Sequence, residues 1–502
     1  MALLTATDLF NMRVSLGAQL NAGQITNEAL LAHLIISDKA SDRKGEMING
    51  MNYYAVNQEI KNKKREYVVE GKKITDALAS NHKLAHGFHK IIVDQKVGYI
   101  AGKPIQITAK DPKNAEQIKF QTETEDAVGD QFNDTMATWI KGTSNKGEEF
   151  LHPFINSDGD FDYITVGAEQ CIPIYDSRYN KQMVSMIRYY NVEKINEKGI
   201  GETLIAVEWW DEMQVTFYIE QKPNTGTNRT SKTTFILDMS ESNLGNPRPH
   251  FFKGNTNEPD EPGEAGSWER VPFVRLLNND EGYSDLRYYK SLIDSYDFVE
   301  SDLIDKIEDI ADAIWKITGI EGDTPSELRK NLKEFKILLL PEDADATSET
   351  LEIPIEAVDK SLDRLCDDIF LFAMAVNIKT EKLGTSVSGV ALKVLYTLLD
   401  LKANVLISKC KLALRDFLYF VAFWIKLMGG DEFDYKTLVF TFDKSIIINE
   451  QEKIQNLAIS GRIISEQTKT EEHPYAKANE AERLEAEKGE FEDEFNVDEG
   501  DE

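Results

Sequence analysis

Ile378-Lys-Thr-Glu-Lys-Leu-Gly-Thr-Ser-Val-Ser-Gly389 is a short segment rich in Gly, Ser and Thr, and an unbroken helical pattern follows it from Val390 to Met428. Apolar residues recur at Leu392, Leu395, Leu398, Leu399, Val405, Leu406, Leu412, Leu418, Val421 and Ile425, the three-to-four spacing of one helix. No Pro or Gly interrupts the run, and Gly429-Gly430 stops it. At 1.5 Å per residue, such a helix is about 58 Å long. One compact core cannot hold it, so it braces a large assembly or crosses several layers of structure.

Upstream, Ser284 to Trp315 reads as a second long helix, apolar at Leu292, Ile293, Val299, Leu303, Ile307, Ile310 and Ile314. Its other face is acidic: Asp294, Asp297, Glu300, Asp302, Asp305, Glu308, Asp309 and Asp312. A one-sign face is unfavourable on a lone helix, so it is expected to meet a solvent-filled space or basic neighbours from other subunits. Gly319 to Ile355 reads as a small insert, with a helix near Pro325–Glu334 and strands at Phe335–Leu340 and Thr350–Ile355. A third helix, Glu356 to Val376, leads back to the opening segment. Two helices around an insert suit a stalk with a docking tip.

The 502 residues leave room for two or more domains, and 41% hydrophobic content supports a sizeable core. With 57 Lys and Arg against 87 Asp and Glu, the formal charge is -30. That balance disfavours ordinary phosphate affinity, which needs clustered cations, and leaves open only contact with DNA that must slide without sticking. Cys171, Cys366 and Cys410 form neither a disulfide framework nor a metal clip, so a reducing cytoplasm is expected. The N-terminus reads as no signal peptide, and the apolar window Phe417–Met428 is too short for a membrane span.

Residues 1 to 50 read as short helices, apolar at Leu30, Leu31, Leu34 and Ile35, and the basic run Asn57–Arg65 as a solvated helix face. His82 and His86 have the spacing of a zinc-protease helix, with His89 a turn on, but Lys83 stands where the catalytic Glu belongs. Structural histidines are the expected reading. Gly98-Tyr-Ile-Ala-Gly-Lys-Pro104 lacks the spacing and the Ser or Thr of a phosphate loop, and reads as a helix end before a strand. Asp158, Asp160, Asp162 and Glu169 mimic a calcium loop, but Tyr163 occupies the place of its glycine, so a hairpin is expected around Asn156–Asp160. Residues 184 to 240 alternate as antiparallel strands, Trp268–Val274 and Thr437–Phe442 read as further strands, and 450 to 484 as polar helix. From Glu471 onward, 14 acids stand against three bases, the composition of a disordered tail.

Five phrases in this order resemble the portal protein family of tailed bacteriophages, of the siphophage type infecting Gram-positive bacteria. They are Asn81 to Pro104, Ser144-Asn-Lys-Gly-Glu-Glu-Phe-Leu-His-Pro153, Asn246-Pro-Arg-Pro-His250, Asp285-Leu-Arg-Tyr-Tyr-Lys-Ser-Leu-Ile-Asp294 and Ala391-Leu-Lys-Val-Leu-Tyr-Thr-Leu-Leu-Asp-Leu-Lys-Ala-Asn404. The resemblance implies an α+β portal fold assembled as a ring, a homo-dodecamer that can hold thirteen subunits when isolated. It would sit at one capsid vertex of the virion, assembled in the host cytoplasm, as a head-tail connector through which double-stranded DNA is packaged and later ejected.

By position, residues 1–283 with 429–450 would be the wing, 284–315 and 356–377 the stem helices, and 316–355 the clip. Residues 378–389 would be the tunnel loop, 390–428 the long wing helix, and 451–502 the crown and acidic tail. The tunnel loop would offer Lys379, Thr380, Lys382, Thr385, Ser386 and Ser388 to DNA phosphates. Asp294, Asp297, Glu300, Asp305, Glu308 and Asp309 would line the channel and repel DNA. Glu321, Asp323, Glu327, Arg329 and Lys330 would form the clip surface for the terminase large subunit and, later, head-completion adaptor proteins. Scaffolding and major capsid proteins are the other implied partners. No catalytic centre, cofactor, metal or membrane is implied. The alternatives are another oligomeric virion head–tail component, or a metal hydrolase using His82, His86 and His89.

Overall fold

The computed structural model describes residues 27–69, 72–75, 79–175, 182–195, 199, 201–221, 234–240, 245–254, 263–309, 314–318, 345–349, 354–377, 389–444, 450–460 and parts of 465–484. The chain divides into two compact units: residues 1–375 with 401–444, and residues 376–400 with 445–502. The second unit contains the first turns of the long helix and two short helices, Glu450–Ile459 and Glu466–Glu471. The first holds a mixed fold of helices and small antiparallel sheets.

Helix α1 (Asn27–Lys39) buries Leu30, Leu31, Leu34 and Ile35. These cover a sheet built mainly from strands Cys171–Tyr175, Met183–Ile195, Gly201–Trp210, Gln214–Gln221 and Thr234–Leu237, through Ile187, Val207, Tyr218 and Phe235. Neighbouring strands pair antiparallel, as their alternation requires. Helices α2 (Asp42–Tyr54), α3 (Phe88–Ala101), α4 (Ala115–Val128) and α5 (Phe132–Lys146) follow.

The hairpin expected after Phe150 is present: strand Glu148–Ile155 pairs with Phe161–Val166. Asn156 closes it by accepting from the amides of Asp158 and Asp160 at 3.0 Å. The strand expected at Trp268–Val274 begins only at Val274. Trp268 is instead buried among Phe251, Phe161 and Phe420, and Glu269 turns the chain at a φ of 58°.

Helix α6 runs from Lys290 to Asp309, shorter than the expected Ser284–Trp315. A single 3-10 turn, Asp285–Tyr288, precedes it, and Ser284 caps that turn by accepting from Leu286 N–H at 3.2 Å. Beyond it, Ile314–Thr318 is a strand paired with Asp345–Glu349, so Trp315 is not helical. β-Branched and aromatic residues there extend a helical apolar pattern while preferring a strand. Helix α7 spans Ile355–Phe372, taking Ile355 from the strand expected at Thr350–Ile355. The rest of that insert, including Pro325–Glu334 and Phe335–Leu340, lies outside the described residues.

Helix α8 spans Gly389–Leu427, 39 residues, nearly as its periodicity demands. Ala403, Leu406, Cys410, Leu414, Phe417 and Val421 are buried along one face. At its end Gly429 adopts a φ of 86°, and Gly430 N–H reaches back to the Ile425 carbonyl at 3.0 Å. That is the glycine-terminated C-cap the sequence announced.

Candidate functional site

Helices α2, α3, α6 and α7 share one apolar core of Tyr53, Phe88, Ile92, Leu286, Tyr289, Ile293, Cys366, Ile369, Phe370 and Ala373. Two polar systems flank this core, and both grip the start or the face of α6.

The first is a buried ionic node. Asp285 is 2% exposed, and its Oδ2 lies 3.0 Å from Lys96 Nζ and 3.1 Å from Lys402 Nζ. Asn278 completes the shell, donating to Asp285 Oδ1 at 2.9 Å and accepting from Lys96 at 2.7 Å. Lys96 comes from α3, Asp285 from the turn before α6, and Lys402 from α8. Burial pushes Lys96 down to about 8, aided by Lys402 and resisted by Asp285. Burial alone would raise the Asp285 carboxyl, but Lys402 and Lys96 hold it far below the usual carboxylate range. Beside the node, His89 is fully buried against Tyr289 at 2.8 Å, and burial takes it down to about 4.

The second system is a strap, the extended segment before α3, lying along α6. His82 donates its backbone N–H at 2.6 Å, and its ring Nδ1 at 2.9 Å, to the same Asp305 oxygen. His86 repeats this on Asp297, at 3.1 and 2.7 Å. Between them Leu84 N–H donates to Ser301 Oγ at 3.0 Å. Every second strap residue therefore meets every fourth helix residue, in antiparallel order. The register closes because two extended residues advance about 6.6 Å and four helical residues about 6.0 Å. Three strap amides that a sheet would otherwise satisfy are satisfied by helix side chains. Carboxylates only accept, so each ring carries its proton on Nδ1.

The acidic face of α6 is thereby corrected. Asp297 and Asp305 are fully buried with partners from this same chain, and do not face open space. Lys63 reaches Asp305 at 3.0 Å and Arg65 reaches Asp302 at 3.5 Å, so the run Asn57–Arg65 is not a solvated helix face either. It is one 3-10 turn, Glu59–Asn62, followed by two cations turned onto α6. Burial pushes the Asp297 carboxyl up, with His86 only partly opposing it. For Asp305 burial also pushes upward, but the His82 amide and Lys63 outweigh it and leave the carboxyl lowered. Asp294 is half-buried, accepting from Tyr53 and Lys290. Glu300 is half-buried and Glu308 is exposed, while the Asp309 side chain lies outside the described residues.

His82, His86 and His89 thus spread along α6 with separate partners instead of converging on one point. Glu169, the twelfth position of the calcium-like pattern, is bound by Lys146 at 2.9 Å. Residues Lys379, Thr380, Lys382, Thr385, Ser386 and Ser388, and Glu321, Asp323, Glu327, Arg329 and Lys330, lie outside the described residues.

Three of the five sequence phrases meet here. Asn81–Pro104 supplies the strap and Lys96, Asp285–Asp294 supplies the turn and the start of α6, and Ala391–Asn404 supplies Lys402. Sequence reading missed Lys96 and Lys402 as site residues. The available signal was a lysine on a buried helix face: Lys96 between Ile92, Val93 and Ile100, and Lys402 between Leu399 and Leu406. Ser144–Pro153 builds a separate buried network, with Lys146 on Glu149 at 2.6 Å and Arg275 on Glu148 at 2.7 Å.

The family model described as phage portal protein, SPP1 Gp6-like, matches residues 33–493. The portal protein of Bacillus phage SPP1 is 31% identical over 452 residues, covering 89% of this chain and 84% of that protein. The portal protein of Clostridium phage phiCD119 is 26% identical over 469 residues, covering 90% of this chain and 94% of its own length. Among solved structures, the neck of an empty GTA particle, computed with C6 symmetry, aligns with a TM-score of 0.39 at 10% identity. It covers 77% of this chain and 90% of that one. The chain belongs to the SPP1 Gp6-like family of phage portal proteins. Portal proteins are structural virion components, and among the described residues no helix is long and apolar enough to cross a membrane.

Proposed function

We propose that this chain assembles as a closed ring, twelve subunits in the virion, at one capsid vertex. Double-stranded DNA is packaged and later ejected through its channel. The observation that carries this reading is family membership over residues 33–493, nearly the whole chain. The ring has no catalysis of its own. The terminase large subunit docks on the clip through Glu321, Asp323, Glu327, Arg329 and Lys330, and head-completion adaptors replace it afterwards. Scaffolding and major capsid proteins meet the ring during assembly in the host cytoplasm.

Within the channel, Glu300 and Glu308 keep carboxylates available to repel phosphate, whereas Asp297 and Asp305 act inside the subunit. Lys379 and Lys382, with Thr380, Thr385, Ser386 and Ser388, make transient phosphate contacts from the tunnel loop. Electron microscopy of the purified protein with native mass measurement tests the ring: twelve or thirteen subunits around a central hole are expected. A chain that stays monomeric even with its scaffolding and capsid partners defeats the reading. The loop is tested by Lys379→Glu with Lys382→Glu, for which impaired packaging by intact rings is expected.

A further inference from the structure

Asp285 has one more lysine than it needs. Lys96 is 1% exposed, lies 3.0 Å from the carboxylate and also satisfies Asn278. That pair is neutral and hydrogen-bonded, the condition under which a buried charge is tolerated. Adding Lys402 leaves the node with excess positive charge in a dry site, which requires another explanation. Lys402 Nζ makes a second contact, donating to the carbonyl of Ala373 at 2.9 Å. Ala373 caps α7, where the helix dipole and unpaired carbonyls favour a cation.

The residue after it is strained. Met374 adopts a φ of 55°, in the left-handed region that glycine usually fills at a helix end. The turn is closed by Met374 N–H on Leu371 O and Ala375 N–H on Phe370 O, each at 3.0 Å. A non-glycine residue thus holds a glycine's conformation, and Lys402 grips the peptide carbonyl immediately before it. Residues beyond Ala375 connect this turn to α8 itself.

We infer that Lys402 is a positioning residue that clamps the end of α7 and the turn before α6 to one point on α8. It thereby fixes the turn at Met374 and Ala375 where the chain leaves α7. Its consequence for DNA rests on the portal reading, in which residues 378–389 are the tunnel loop.

The test uses the full chain with Lys402→Met and Lys402→Arg, read by hydrogen exchange, native mass and DNA packaging. Lys402→Met is expected to fold, because Lys96 still neutralises Asp285, and to form the wild-type ring. Exchange at Met374 and Ala375 should rise about tenfold, the loss of one charge-assisted bond at a locally opening turn. Packaging by those rings should fall, and Lys402→Arg, which keeps the cation, should restore protection and packaging together. Unchanged exchange in Lys402→Met, or its global unfolding, overturns the clamp. Raised exchange with normal packaging overturns the positioning role alone. Failure of the wild-type chain to form rings would count against the portal reading, while exchange at the turn would still judge the clamp.

Discussion

Helix α6 is held in two places by different physics. At its start, Asp285 sits in a dry node and is 2% exposed. Along its length, Asp297 and Asp305 are equally buried, but the histidines that bind them keep 34% and 39% of their side-chain surface in water. A charge stripped of solvent on all sides depends wholly on its partners, whereas a half-wet partner can be replaced by water. The node should therefore act as a fixed anchor and the strap as a set of moderate, separable contacts.

Five outcomes would break or sharpen that contrast. Asp285→Ala leaves Lys96 and Lys402 buried without an anion, and should cost about 3–5 kcal/mol by chemical denaturation. A cost near that of a strap variant would erase the distinction. Acid should come next. His89 and His152 are held by burial at about 4, below the ordinary value of 6.5, so the folded state keeps them neutral while the unfolded chain takes up protons. Stability should fall as pH drops from 6.5 toward 4, by on the order of 3 kcal/mol per histidine at most. A flat profile over that window would show the burial to be looser than described.

Asp305→Ala removes the acceptor for His82 and Lys63 together and should cost about 2 kcal/mol. His82→Ala, which water can partly replace, should cost at most about 1 kcal/mol. Equal losses for the two would mean that the His82 ring, and not its backbone amide or Lys63, carries the contact with Asp305. The smallest effect is a gain. Val56 ends α2 at a φ of 54°, with Asn57 N–H on Asn52 O at 2.7 Å, so a β-branched residue fills a glycine position. Val56→Gly should raise stability by about 1 kcal/mol in thermal unfolding, and a loss would show that packing of the Val56 side chain outweighs its strain.

Much of the fold was legible in the chain. The period of α8 and its Gly429-Gly430 stop, the alternating strands of residues 184–240 and the Asn156 turn are written locally, where neighbouring residues decide the outcome. Helix ends without glycine were less legible: α7 stops at Phe372 on Met374, with no residue to announce it. The acidic face of α6 misled for a different reason. Eight carboxylates at helical spacing look alike in sequence, yet Asp297 and Asp305 are buried while Glu308 is not. Partners about two hundred residues away, His86, His82 and Lys63, made the selection.

The sequence by itself determined the class of the molecule: a long helix, two shorter ones around an insert, a strongly acidic chain, and phrases that together mark a portal. Those features rest on periodicity, composition and word order, which need no knowledge of distant contacts. Only the tertiary structure decided what the charged residues do. It brought Lys96, Asp285 and Lys402 to one point and laid the strap's histidines on α6. Whether a carboxylate stays in water or anchors a helix depends on its surroundings and partners, and folding alone assigns both.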